Sequence, residues 1–120
     1  MEIFRINLND LRFYGKIGVS DQERMVGNEY VVNVSIAYDA RIFEEENLES
    51  SISYAEVYEE IKDEMLVERQ LLESTARCIS KRISERWRVV QEITIKIDKD
   101  IPPVSGIVGN CGIEYFWKKS

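Results

Sequence analysis

In Ile93-Thr94-Ile95-Lys96-Ile97-Asp98-Lys99 an isoleucine stands at every second place. Ile93, Ile95 and Ile97 therefore share one face of a β-strand, and the same period puts Lys99 on that face. The pattern restricts the fold closely, because an apolar layer must cover this face and at the last residue that layer meets an ammonium. Pro102-Pro103, the chain's only prolines, cannot donate to a ladder, so they end the strand and stiffen its exit. A charge on a half-buried face is costly without a partner. Lys99 is either a lysine whose head snorkels out from a strand end or a group held there for chemistry.

The period of two recurs elsewhere. Tyr30, Val32, Val34, Ile36 and Tyr38 share one face opposite Asn33, Ser35 and Ala37. Phe4, Ile6 and Leu8 alternate with Arg5, Asn7 and Asn9, and the strand runs on through Leu11 and Phe13 if a bulge intervenes. Ile113, Tyr115 and Trp117 alternate after Gly106, Gly109 and Gly112. Between the second and third strands the spacing turns helical. Ser53-Tyr54-Ala55-Glu56 has the form of a capping box, followed by a stripe of Tyr54, Val57 or Tyr58, Ile61 and Met65. A second helix, from about Gln70 to Trp87, carries Leu72, Ala76, Ile79 and Ile83 on one stripe and leaves Arg77, Lys81, Arg82 and Glu85 in solvent. Lys16 to Asn28, bracketed by Gly15, Gly18 and Gly27, is too long for a tight hairpin and reads as a loop on which a site can be built.

The order ββααββ predicts an α+β fold, a four-stranded antiparallel sheet with two helices on one face. Such a sheet has free edges, and the charge-poor run from Tyr30 to Tyr38 has few residues to discourage pairing, so oligomerisation is expected. The 120 residues suit a single domain, 1–120, with no linker-like stretch. No apolar run approaches the length of a membrane span and the start lacks a signal peptide's apolar block, which predicts a cytoplasmic protein. A net charge of −6 opposes nucleic-acid binding. Cys78, in a helical pattern, and Cys111, in a Gly-rich turn, lack CxxC spacing and read as buried or idle thiols. The chain contains no histidine, which removes zinc sites of the usual kind, Ser-His triads and the commonest neutral-pH acid/base group. Any proton transfer falls to Lys, Tyr, Glu, Asp or the substrate, and neither metal nor cofactor is expected.

Three further positions stand out. Glu73, in the first turn of the second helix beside its apolar stripe, reads as a half-buried carboxylate. It either complements the helix N-terminus or accepts paired hydrogen bonds from a guanidine-like heterocycle edge. Tyr54 is either a core or interface aromatic or a phenol that exchanges a proton. Glu23, within Ser20-Asp21-Gln22-Glu23-Arg24, is a capping or solvated carboxylate on these grounds alone.

Leu11-Arg12-Phe13-Tyr14-Gly15, Gly18-Val19-Ser20-Asp21-Gln22-Glu23-Arg24, Ser53-Tyr54-Ala55-Glu56-Val57, Leu71-Leu72-Glu73 and Lys99-Asp100-Ile101-Pro102-Pro103-Val104-Ser105-Gly106 together resemble the dihydroneopterin aldolase family of folate biosynthesis, over essentially the whole chain. The resemblance implies the tunnelling fold, with sheets joined into a tetrameric ring, stacked as an octamer, and active sites between subunits. It implies that Glu73 anchors the pterin edge, that Lys99, Glu23 and Tyr54, the last from the adjacent subunit, are catalytic, and that Leu72, Ile52, Val19 and Tyr54 contact substrate. The implied reaction is retro-aldol cleavage of 7,8-dihydroneopterin without metal or Schiff base. Three positions depart from the family pattern and bear on contacts to the substrate tail: Ile17 in place of a frequent histidine, Asp100 in place of a frequent proline, and Ile107-Val108-Gly109-Asn110 in place of a His-Tyr-Asp-like loop. An epimerase of dihydroneopterin or its triphosphate, and a non-catalytic oligomeric pterin-binding protein, are the alternative readings. A triphosphate calls for basic residues, of which the long loop offers Lys16 and Arg24.

Overall fold

A computed structural model of the chain, described for residues 1–100, 106 and 109–120, shows the alternating segments as one antiparallel sheet in the order β1-β2-β3-β4. The strands are β1 (Ile3–Gly15), β2 (Asn28–Asp39), β3 (Val90–Lys99) and β4 (Cys111–Lys118). Pro102-Pro103 and the Ile107-Val108 part of the last loop lie outside the described residues.

The bulge foreseen in β1 decides which side chains reach the core. Leu8 pairs with Val34 and Leu11 with Val32, so three steps on β1 match two on β2. Asp10 takes a positive φ of 55° there, and its amide donates to the Asn33 side-chain oxygen at 2.9 Å. The extra residue restores parity. Leu11 and Phe13 face inward with Leu8 instead of outward, and Phe13 lands opposite Tyr30. Across the sheet the inward rows read Leu8, Val34, Ile95, Tyr115 and Leu11, Val32, Ile97, Ile113, ending on Phe13, Tyr30, Lys99 and Cys111.

Two helices cover this face, α2 (Tyr54–Met65) and α3 (Leu72–Arg86), and a short helix α1 (Asp21–Val26) lies within the segment read as loop. Val57, Ile61 and Met65 of α2 and Ala76, Ile79 and Ile83 of α3 are fully buried against the sheet. Tyr54 departs from the expected stripe: it is 71% exposed at the first residue of α2. Ser53 caps α2 by accepting from the Glu56 amide at 3.4 Å. No helix is long and apolar enough to cross a membrane among the described residues. Both cysteines are free, and Cys111 is exposed at the start of β4, not buried.

Arg82, expected in solvent, instead ties the two helices together. Its guanidinium reaches Glu60 at 2.8 Å, Glu64 at 3.2 Å and Asp63 at 3.4 Å. Glu60 and Glu64 retain only 16% and 11% of their side-chain exposure. Beside them the Arg82 guanidinium is driven further into its charged form and the Glu60 carboxyl is held below the usual carboxylate range. Arg82→Met leaves two half-buried carboxylates with fewer donors. It should lower the unfolding free energy in urea by about 1–3 kcal/mol, less than for a fully buried pair because Arg82 itself stays partly in water. An unchanged urea midpoint would show that the cluster adds nothing to stability.

Candidate active site

The loop between β1 and β2 closes on itself before it reaches anything else. Ser20 begins α1 as N-cap, its hydroxyl accepting from the Glu23 amide at 3.1 Å, while its own amide donates to Glu23 Oε1 at 3.2 Å. This is a capping box. The other oxygen, Glu23 Oε2, accepts from Lys99 Nζ at 3.1 Å. One carboxylate thus caps a helix with one oxygen and meets the inward ammonium with the other. The Lys99 side chain is 14% exposed and that of Glu23 28%, so the pair sits at the edge of the core with one side open to a groove of about 380 Å³ lined by Ser20, Gln22, Glu23, Val26 and Gly27.

Lys99's ammonium, followed by the Ser20 amide, holds the Glu23 carboxyl below its ordinary value. Glu23 has space for this because residue 18 is glycine: a Cβ there would lie 2.5 Å from the Glu23 Cβ and 3.0 Å from its Cδ. The Arg24 guanidinium ties the loop from the other side, donating to the carbonyls of Gly18 at 2.8 Å and Val19 at 2.9 Å while pairing with Asp21. At the adjoining sheet end the Tyr14 hydroxyl donates to the Val26 carbonyl. Asp100, an amino acid with an N–H where a proline has none, donates to the Glu29 carbonyl at 3.1 Å and receives Arg12 at 3.0 Å.

Of the residues singled out in the sequence, Lys99 and Glu23 are brought together, whereas Tyr54 and Glu73 line other grooves. Tyr54 lines a groove of about 410 Å³ with Leu48, Ser51, Ile52, Ser53 and Ala55, in which Ile52 is buried. Glu73, at the second residue of α3, is exposed, not half-buried. It lines another groove, of about 400 Å³, with Ser74, Arg77, Cys78 and Tyr115. Neither the Glu73 carboxylate nor the Tyr54 hydroxyl has a hydrogen bond or ion pair among the described residues. Leu71, the N-cap of α3, offers no side-chain cap, so the first-turn amides next to Glu73 are open too. Leu72 is buried and Val19 exposed. No group of three His, Cys, Asp or Glu side chains is placed to hold a metal among the described residues.

The capping reading of Glu23 holds, and the helix that it caps, α1, lies in a segment the sequence reads as loop. Sequence reasoning misses what supports the pair. The alternation places Tyr30 on a strand face without pointing to a partner for its hydroxyl, and nothing in the sequence pattern singles out Arg69.

A four-stranded antiparallel sheet covered on one face by two helices is the tunnelling fold. The family model for dihydroneopterin aldolase matches residues 6–116, and the chain belongs to that family. It is 32% identical over 111 residues to the dihydroneopterin aldolase of Staphylococcus epidermidis, covering 91% of this chain and 92% of that one. In fold it resembles a putative dihydroneopterin aldolase from Vibrio cholerae, with a TM-score of 0.86, 19% identity, and coverage of 99% of this chain and 100% of that one. It also resembles the E. coli dihydroneopterin aldolase solved in complex with neopterin, with a TM-score of 0.82, 21% identity, and coverage of 98% and 99%.

The Glu23–Lys99 tie carries a pH signature. Glu23 titrates lower in the folded chain than its ordinary 4.5, so its contribution to stability is complete above that value and is lost as pH falls through the folded-state pKa. Denaturation of the parent and of Glu23→Gln, compared from about pH 7 down to about pH 3, should show the parent's advantage shrinking below about pH 4.5. A stability difference that stays constant over this range contradicts the tie.

Proposed function

We propose that the protein cleaves 7,8-dihydroneopterin by a retro-aldol reaction to 6-hydroxymethyl-7,8-dihydropterin and glycolaldehyde, a step of folate biosynthesis, and that Lys99, Glu23 and Tyr54 are its catalytic groups. The observation that carries this reading is the inward Lys99 ammonium held 3.1 Å from Glu23 in a histidine-free chain of the dihydroneopterin aldolase family. A lysine on a core-facing row, partnered by a carboxylate at the mouth of a groove, has little structural purpose that an isoleucine could not serve better.

The chemistry suits these groups. The 2′-hydroxyl loses its proton, the C1′–C2′ bond breaks to leave glycolaldehyde, and the electron pair flows into the ring's own C=N. Protonation at C1′ then restores the C=N and completes the hydroxymethyl product. The substrate is its own electron sink, so neither a Schiff base nor a Lewis-acidic metal is called for. Glu23 is held ionised and is therefore a weak base, which makes the Lys99 ammonium the electrostatic partner of the developing alkoxide while an ordered water carries the proton away. Glu23 orients that water or the tail hydroxyls. Tyr54 supplies the proton to the carbanion.

Glu73 anchors the other end of the substrate. Its carboxylate takes two parallel hydrogen bonds from the pterin's amino group and ring N–H, and the open amides at the start of α3 suit the ring carbonyl. Leu72, Ile52 and Val19 supply apolar contacts. Tyr54 lines a groove apart from the Lys99 pair within one chain, so in this reading it completes the site of a neighbouring subunit. The assembly is a homo-oligomeric ring, tetrameric or stacked as an octamer.

Metal-stripped protein incubated with 7,8-dihydroneopterin and, separately, with its triphosphate should release glycolaldehyde from the first and retain that activity in EDTA. A C2′ epimer as the main product would favour an epimerase, and unchanged substrate a binding protein. Activity lost in EDTA and restored by zinc or magnesium would overturn the metal-free mechanism.

The shared site makes a separate prediction. Tyr54→Phe and Lys99→Ala, each inactive alone, should regain glycolaldehyde release when unfolded and refolded together, because some interfaces then pair an intact Lys99 with a neighbour's intact Tyr54. Mixed rings, verified by mass spectrometry, with no more activity than the separate variants place both residues in one subunit or exclude one from catalysis.

A further inference from the structure

We propose that Tyr30 is a positioning residue for the Glu23–Lys99 pair, acting through two hydrogen bonds that fix the backbone on which the Glu23 side chain rests. The proposal rests on the reading of that pair as catalytic. Tyr30 lies on the inward row between Phe13 and Lys99, and no part of it is exposed. A buried phenol needs partners for its hydroxyl. It finds both on one residue: the Ile17 amide donates to Tyr30 Oη at 3.2 Å, and the Tyr30 hydroxyl donates to the Ile17 carbonyl at 2.5 Å.

The residues on either side of Ile17 are held from elsewhere. The Gly18 amide donates to the Arg69 carbonyl at 3.0 Å, and the Arg69 amide donates to the Lys16 carbonyl at 3.2 Å, a single parallel bridge between the loop and the α2–α3 connection. Arg69 is itself fastened to Glu64, through the carboxylate at 2.5 Å and the main-chain carbonyl at 3.0 Å. Lys16, Ile17 and Gly18 are thus clamped between the core and the helical layer.

What rests on this clamp is the catalytic carboxylate. Glu23 packs so closely over Gly18 that a methyl group there would overlap its side chain, so a displacement of the Ile17–Gly18 backbone moves Glu23 and changes its approach to Lys99. Phenylalanine could fill the same core volume. The hydroxyl is the feature that packing alone leaves unexplained, and among the described residues it bonds to Ile17, in the segment that adjoins Glu23. The same proximity acts in reverse on the phenol: burial foremost, then the Glu23 charge, push its pKa up.

The test is Tyr30→Phe, with Glu23→Gln and the Tyr30→Phe/Glu23→Gln pair beside it, assayed for glycolaldehyde release. Thermal melting first establishes that Tyr30→Phe is folded. We expect kcat to fall on the order of 10- to 100-fold, the scale of a misplaced catalytic group, with KM changed less than about twofold. In the Glu23→Gln background the same substitution should change kcat by less than about twofold, since there is no carboxylate left to position. The Glu23 carboxyl carbon, followed by NMR, should titrate at higher pH in Tyr30→Phe than in the parent as the Lys99 contact loosens. Full kcat in Tyr30→Phe, or a loss that simply multiplies with that of Glu23→Gln, overturns the positioning role while leaving the catalytic pair in place. Full kcat in both Glu23→Gln and Lys99→Ala overturns the catalytic reading itself, and the positioning role with it. If Tyr30→Phe does not fold, Gly18→Ala presses on Glu23 from the same backbone: a kcat loss absent in the Glu23→Gln background supports the clamp, and full kcat refutes it.

Discussion

An ammonium on the inward face of a sheet has to be met by a negative charge. Lys99 closes a row that Ile93, Ile95 and Ile97 fill with hydrocarbon, and β3 supplies no acid on that face. The carboxylate comes from Glu23, 76 positions away in sequence. For it to arrive, the β1–β2 connection must fold back over the sheet end. A six-residue helix is too short to hold itself together, and α1 persists because Glu23 satisfies its N-terminus with one oxygen while Lys99 engages the other. Helix, loop and charged pair are therefore one unit, which accounts for the dense local bonding of Gly18, Ser20, Glu23 and Arg24.

The helical layer is fixed to the sheet by hydrocarbon and to itself by charge. The apolar stripes of α2 and α3 bury against the sheet, and Arg82 of α3 and Arg69 of the α2–α3 connection converge on Glu64. Through Arg69 the same Glu64 reaches the backbone of Gly18. Interhelical ion pairs, usually small contributors at a surface, here set where the α2–α3 connection sits against the site loop, so their weight lies in geometry as much as in stability.

Much of this was legible in the sequence because it is periodic. The four strands, the bulge before Leu11, the inward row of β3 and the buried stripe of α3 all follow from where apolar residues recur. The misreadings share a cause: they depended on which distant partner a polar side chain finds. Arg82 lies off the apolar stripe of α3 and so reads as solvated, yet its partners are on α2. Glu73 reads as half-buried from its place beside the stripe, but its side chain is exposed at a groove it shares with Arg77 and Tyr115. Tyr30 fits the core pattern so well that its hydroxyl, the part of it that bonds Ile17, passes unnoticed. The Glu23–Lys99 contact is of the same non-local kind, and what pointed toward it was a lysine at a position whose period demanded isoleucine.

The contrast between engaged and unengaged polar groups bears on how the proposed site is built. Lys99 and Glu23 have each other, and the carbonyls of Gly18 and Val19 have Arg24. Glu73 and Tyr54 have no partner among the described residues and face solvent in separate grooves. β1 and β4 stand at the two ends of the strand order, each with one edge unpaired among the described residues. In the proposed ring, copies joined edge to edge would satisfy both strands. In that arrangement the chain holds internally the pair whose separation must not vary, and it leaves to the interface the groups that meet a ligand. A pterin edge bound at Glu73, as proposed, would meet a carboxylate with no protein partner among the described residues, so binding would not have to break an existing ion pair.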